Sequence, residues 1–466
     1  MIDDLRPYAE MRPTGLPWLG DVPAHWDVRR IKTLLKEVDN RTKTGEERLL
    51  SLRMRQGLID HIEAGGKLIS SASLIGYKII EPGQVVMNRM RAAAGLFGVA
   101  NVRGLVSPDY AVFEPKPDAF NPYLLQAFRL PTLAAVFRAE SKGLGTGESG
   151  FLRLYTDRFG PIPVPYPPLE EQRLIVRFLD WHGGQVARLV RAKKALIGLL
   201  NEQKQAIIHR AVTRGLDPTA KLKRSGIPWL GDVPEGWEVK KLKYLVRFNN
   251  GLAFKPSDWA NSGVPIIRIQ NLNGSEAFNY TTKTGLPDDL LITKGDIVFS
   301  WSGNIGTSFG PFVWERDFDG YLNQHTFKLE KIAAHRRYFY YVLKAVTKNV
   351  EENTHGIIGL VHITKPELGS ISVPLAPSDE QVAIAEWLDE QLHGLNDIID
   401  RAQREIALIQ DFRTRMIADV VTGKLDVRPL AASLPETASQ DIVDDLAVDE
   451  DLDDLPEDTE TEEAAA

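Results

Sequence analysis

The 466-residue sequence contains no cysteine, which excludes disulfides and thiolate metal sites. It has no apolar run long enough to cross a bilayer. The opening stretch MIDDLRPYAEMRP is acidic first and lacks the basic and apolar regions of a signal peptide. The nine histidines fall in no HExxH or other ligand spacing, and no GxSxG elbow is present. The glycine-rich KGLGTGESG (Lys142–Gly150) lacks the GK[ST] ending of a phosphate loop and reads as a flexible loop. Together these absences predict a cytoplasmic protein with no membrane partner, no metal centre and no catalytic constellation.

Basic residues are missing from one region only. From Ala431 onward there are 14 acidic side chains and no basic one, which leaves 56 Lys+Arg against 49 Asp+Glu in the first 430 residues. The net charge of −7 therefore hides a body of about +7 and an acidic tail. A mildly basic body is compatible with nucleic acid. The tail, poor in aromatics, is expected to be disordered from about Leu434.

What the sequence has is repetition. Thr14–Leu34 reads TGLPWLGDVPAHWDVRRIKTL and Ser225–Leu245 reads SGIPWLGDVPEGWEVKKLKYL. PWLGDVP is identical, and Trp26 and Trp237 follow at equal distance. Leu169–Thr213 aligns without a gap to Ser378–Thr422, at an offset of 209 residues. In the second copy Leu388, Leu392, Leu395, Ile399, Ala402, Ile406, Ile409, Met416 and Val420 alternate at spacings of four and three, a coiled-coil seam broken at Arg413. The first copy gives Leu179, Gly183, Val186, Val190, Lys193, Ile197, Leu200, Lys204, Ile207 and Ala211 in the same register. Gly183-Gly184 weakens that helix by roughly 1 kcal/mol per glycine, so a kink or a close backbone approach is expected there. Equal length and register predict that the two helices pack on each other.

The globular region before each helix reads as mixed α/β with many short strands. GQVVMNRMRAAAGLFGVA (Gly83–Ala100) and GDIVFSWSGNIGTSFGPF (Gly295–Phe312) align, each a glycine turn, an apolar strand and a small-residue loop. FNPYLL (Phe120–Leu125) lacks the second proline of an NPPY methyltransferase box and reads as a helix starting at Pro122. The predicted divisions are a domain over 1–166, a helix over 167–213, a basic linker over 214–224, a domain over 225–376, a helix over 377–422 and a tail over 423–466.

Reading base edges requires Arg, Asn, Gln, Ser or His side chains projected from strands, loops or helix ends. The first half offers Arg53, Arg55 and Gln56, then Asn88, Arg89 and Arg91. The second offers Arg268, Gln270 and Asn271, then Ser300, Ser302 and Asn304, then Gln324 and His325. In IIRIQN a strand would place Arg268 and Gln270 on one face and Ile267 and Ile269 on the other.

The doubled PWLGDVP…W, SWSGNIG, VSPDYAVF (Val106–Phe113), ISVPLAPSDEQ before the second helix and the closing TGKLD, in this order, resemble the specificity subunit of type I restriction–modification systems over residues 14–427. The resemblance implies an α+β chain: two target recognition domains separated by two long antiparallel coiled-coil helices, with an internal pseudo-two-fold repeat. It implies double-stranded DNA as ligand, each domain reading half of a split target and the helices acting as a ruler. No catalytic activity and no cofactor would reside in this chain. The implied partners are two adenine-N6 methyltransferase subunits, which use S-adenosylmethionine, and restriction/translocase subunits, which use ATP and Mg2+. Two other readings compete: a self-sufficient restriction–methylation enzyme, for which the chain lacks the motifs, and a helical adaptor binding proteins only.

Overall fold

The computed structural model describes residues 5–54, 56–144, 151–353 and 360–435. Arg55, most of the Lys142–Gly150 glycine stretch and the tail beyond residue 435 lie outside the described residues. The chain forms two compact units, Met1–Lys194 with Gln403–Ala466, and Ala195–Ala402. Both long helices, Leu169–Arg214 and Ser378–Val421, contribute to each unit.

Each unit is built on a four-stranded antiparallel sheet of the same order. In the first the strands are Leu35–Val38, Tyr110–Pro115, Val85–Asn88 and Phe97–Val99. In the second they are Arg247–Asn250, Thr326–Glu330, Ile297–Ser300 and Gly310–Val313. Gly83 and Gly295, both at φ 87°, make the turns that launch the equivalent strands Val85–Asn88 and Ile297–Ser300. Those strands are buried throughout and apolar up to their last residue, Asn88 or Ser300, because both faces are covered. Phe97, Phe113, Phe128, Phe137 and Phe159 pack beneath the first sheet, and Phe248, Phe299, Phe327 and Phe339 beneath the second.

The proline-rich strands lie at two-stranded margins, where a missing N–H is tolerated. Pro163–Tyr166 pairs with Asp27–Arg30, and Ser372–Leu375 with Glu238–Lys241. Helix Asn121–Phe128 starts one residue before the expected Pro122. Its Tyr123 hydroxyl donates to the Pro165 carbonyl at 3.2 Å, as Tyr338 of helix Arg336–Asn353 donates to Pro374 at 3.2 Å. This pair fixes the correspondence of the two helices.

The seam read from the sequence is buried in part and half-buried at Ile197, Leu200, Ile207, Leu395, Ile406 and Ile409. Leu388, Leu392, Ile399, Ala402, Met416 and Val420 are inside, as are Leu179, Val186, Val190 and Ala211. The helices run antiparallel in each unit. In the first, the His182 ring meets that of Phe412 at 5.9 Å and Lys193 pairs with Glu405 at 2.5 Å. In the second, Lys204 Nζ donates to Asn396 Oδ1 at 2.5 Å, and Ile208 and Val212 share a core with Ile384, Leu388 and Leu392. The seam lysines are thus satisfied across the pair. No break occurs at Gly183-Gly184; the helix is continuous and both glycines are buried.

The repeated PWLGDVP…W stretch closes each unit where the start of one long helix meets the end of the other. The indole of Trp26 donates to Glu171 at 3.0 Å and packs against Gly423. The indole of Trp237 donates to Glu380 at 2.9 Å and packs against Gly215. Both glycines have positive φ, 77° and 72°, so that the chain turns off the helix end without a Cβ in the tryptophan's way. Around Glu171 the first unit adds the Tyr8 hydroxyl at 2.5 Å and His25 at 2.8 Å. Arg428 stacks on Tyr8 at 4.8 Å. Burial and the bond to Glu171 hold the Tyr8 phenol well above its usual range.

Candidate nucleic-acid interface

The second unit places its polar loops together by strand pairing. After Ile297–Ser300 the chain enters Ser302–Asn304, which pairs antiparallel with Leu360–His362. Between them Trp301 donates its N–H to the His325 carbonyl at 3.0 Å, and its carbonyl accepts from Ile363 at 2.9 Å. The Trp301 ring lies 4.9 Å from the rings of both His325 and His362, and stacks on Phe327 beneath. His325 sits at φ 71°, one of two described non-glycine residues in the left-handed region. That conformation is uncommon for a side-chain-bearing residue and turns the ring onto Trp301.

Around this aromatic cluster Asn304, Gln324 and His325 are exposed, and their polar side-chain atoms make no hydrogen bond among the described residues. Ser302 is half-buried beside them. Such groups are free to donate and accept at base edges. His362 joins them only through a pairing across some 60 residues, and no local sequence signal marks it. Trp301 stands inside the SWSGNIG motif, yet its aromatic company is visible only in the fold.

Other expected readers have duties inside the fold. Ser300 is fully buried and donates to the Ser302 carbonyl at 2.9 Å. Asn88, its equivalent in the first unit, is buried and accepts from the N–H groups of Met90 and Arg91 at 3.0 and 3.2 Å. Both end a central strand and shape the turn after it. Asn271 is also buried, bonded to the carbonyls of Ser275 and Ala277.

The strand reading of IIRIQN needs correction. The strand stops at Ile267 and a helical turn spans Ile269–Leu272. The cause is a cap: Asn271 Oδ1 accepts the Arg268 N–H at 3.0 Å, which turns the chain. Arg268 bonds Asn279 at 3.1 Å and lies 5.8 Å over the Trp259 ring, while Gln270 is exposed on the turn.

In the first unit Arg89 pairs with Glu37 at 2.8 Å and is 19% exposed. Arg53 donates to the Ala64 carbonyl at 2.7 Å. Arg91 is half-buried and Gln56 is exposed. Arg55 lies outside the described residues. Among the described residues no group of three or more His, Asp and Glu side chains could hold a metal ion, and no helix is long and apolar enough to cross a membrane.

A family model described as type I restriction modification DNA specificity domain matches residues 62–197 and 234–408. The chain belongs to the type I restriction–modification specificity family. The two matches fall on the two halves of the repeat. The MjaVIII specificity subunit of Methanocaldococcus jannaschii is 28% identical over 346 residues, covering 70% of this chain and 76% of that one. The EcoBI specificity subunit of Escherichia coli is 27% identical over 210 residues, 44% of this chain and 43% of that one. A solved structure described as the basis of complex assembly and conformational transition of the type I R-M system superposes with a TM-score of 0.58 at 17% identity, covering 86% of this chain and 98% of its own. That likeness supports the fold. As a type I specificity subunit the chain is a non-catalytic, DNA-binding component of a restriction–modification complex.

The long helices also carry exposed apolar side chains. Leu408 and Phe412 are exposed in the first unit, Leu199 and Ile398 in the second. Exposed residues of this size on a helix pair suit protein contact.

Proposed function

We propose that the two units of this specificity subunit read the two halves of a bipartite DNA target, and that the long helices set the number of unread base pairs between them. The observation that carries this reading is the repeat itself: the same sheet order and the same Trp–Glu–Gly closure occur in both units. DNA is pseudo-two-fold, so a duplicated reader fits two half-sites at a fixed spacing. In the second unit Ser302, Asn304, Gln324 and His325 contact base edges, with Gln270 and Arg268 beside them. In the first unit Gln56, Arg53 and Arg91 are the corresponding candidates, with Arg55 between the first two in the sequence. The exposed apolar residues of the helices receive methyltransferase subunits, which carry S-adenosylmethionine, and a translocating nuclease subunit joins that assembly.

The test is adenine-methylation mapping of DNA from cells with and without this chain, its methyltransferase partner present in both. A split motif that appears only with the chain supports the proposal. A continuous motif, or methylation indifferent to the chain, contradicts it.

A further inference from the structure

The two units treat one carboxylate differently. Asp389 in the second long helix accepts from Arg337 at 2.8 Å and from the Tyr341 hydroxyl, both on helix Arg336–Asn353. Asp180 holds the same place in the first long helix, 209 residues earlier. The shared Tyr123 and Tyr338 anchors align Pro122 with Arg337 and Gln126 with Tyr341. Asp180 has no hydrogen-bond or ion-pair partner among the described residues. Burial alone pushes its carboxyl up to about 6.

Asp180 lines a cavity of about 400 Å³ in the first unit, together with Gln126, Arg129, His182 and Arg413. Arg129 gives one N–H to the Phe97 carbonyl at 3.1 Å, but its Nε is buried without an acceptor and no described carboxylate reaches it. His182 is 2% exposed and its Nδ1 is buried without a partner. Burial, then the nearby Arg413 cation, lowers its pKa, so the ring is neutral and can donate or accept. Met54, Leu179 and Ile417 supply apolar wall. The cavity thus presents an unpaired carboxylate and an unpaired guanidinium that are not within ion-pair distance of each other, plus an unused ring nitrogen. Buried polar groups without partners are costly and call for a ligand that satisfies them.

We propose that this cavity binds a small zwitterion, with its ammonium or guanidinium group on Asp180 and its carboxylate on Arg129 and His182. An anion alone leaves Asp180 unpaired, and a cation alone leaves Arg129 unpaired. The second unit shows which group suits the aspartate, because there the chain supplies its own guanidinium. Met54 of the wall follows the proposed reader Arg53 in the chain, but the test of the site is made without DNA and does not depend on DNA binding.

The experiment is calorimetric titration of the full chain with ω-amino acids from glycine to ε-aminocaproate, with butylamine and butyrate as single-charge controls. At least one amino acid binds saturably and at least tenfold more tightly than either control. Asp180→Asn and Arg129→Met each weaken it at least tenfold with unchanged circular dichroism. Gln126→Tyr, which restores the phenol of the second unit, abolishes it. Absence of binding by every amino acid in the series overturns the proposal. So does butyrate binding as tightly as the amino acids, or full binding by folded Asp180→Asn.

Discussion

Glu171 accepts the Trp26 indole N–H at 3.0 Å, and the pairing returns as Trp237 to Glu380 at 2.9 Å. The two carboxylates differ in their surroundings. Glu171 is 5% exposed and also meets Tyr8 and His25, whereas Glu380 is exposed and holds one indole. Glu171→Gln should cost about 2–3 kcal/mol, because buried donors lose a charged acceptor, and Glu380→Gln about 1 kcal/mol or less. Urea unfolding of both variants checks the order.

The helix-end glycines make a second graded pair. A Cβ at Gly423 would lie 2.3 Å from Pro23 and 3.0 Å from Trp26, whereas at Gly215 the nearest atom is Trp237 at 3.2 Å. Both residues have positive φ, so alanine strains each backbone by about 1 kcal/mol. Overpacking adds about 1–3 kcal/mol at Gly423. Gly423→Ala should therefore lower the melting temperature more than Gly215→Ala, read by calorimetry.

Asp180 predicts a pH dependence. Its carboxyl is raised by burial from 3.8 to about 6, so between those values the folded state binds more protons than the unfolded chain. Its penalty is present above the folded pKa and disappears as pH falls through 6 toward 3.8. Asp180→Asn should stabilise the protein by about 2 kcal/mol near neutral pH and by nothing at about pH 4. Denaturant titrations at the two pH values measure the difference.

The interface residues separate into two classes. Asn304→Ala and Gln324→Ala should leave stability within about 0.5 kcal/mol, because both side chains are exposed and unbonded. Each should relax discrimination at one base pair by about 1–3 kcal/mol. Asn271→Ala removes a buried cap and should cost about 1–3 kcal/mol of stability. Binding competition on single-base variants of the target, alongside thermal melts, distinguishes the classes.

The repeat, the helix seam and the two closing tryptophans were legible in the sequence because they depend on local periodicity and on identity between copies. The reading loops were less so. IIRIQN has strand composition, but a single asparagine cap folds it into a turn. Asn88 and Ser300 look like exposed polar loop residues until the strands place them inward. His362 reaches Trp301 through a long-range pairing that no window of sequence encodes. The unpartnered state of Asp180 was equally hidden, since it follows from what Pro122 and Gln126 fail to supply.

The central claim, that the paired helices fix the gap between half-sites, has a direct test. Inserting one heptad into both helices at facing levels keeps the seam in register and lengthens each by about 10 Å. Methylation mapping of the variant should return the same two half-sites separated by a few more base pairs. An unchanged gap, in a variant that still methylates, would contradict the account.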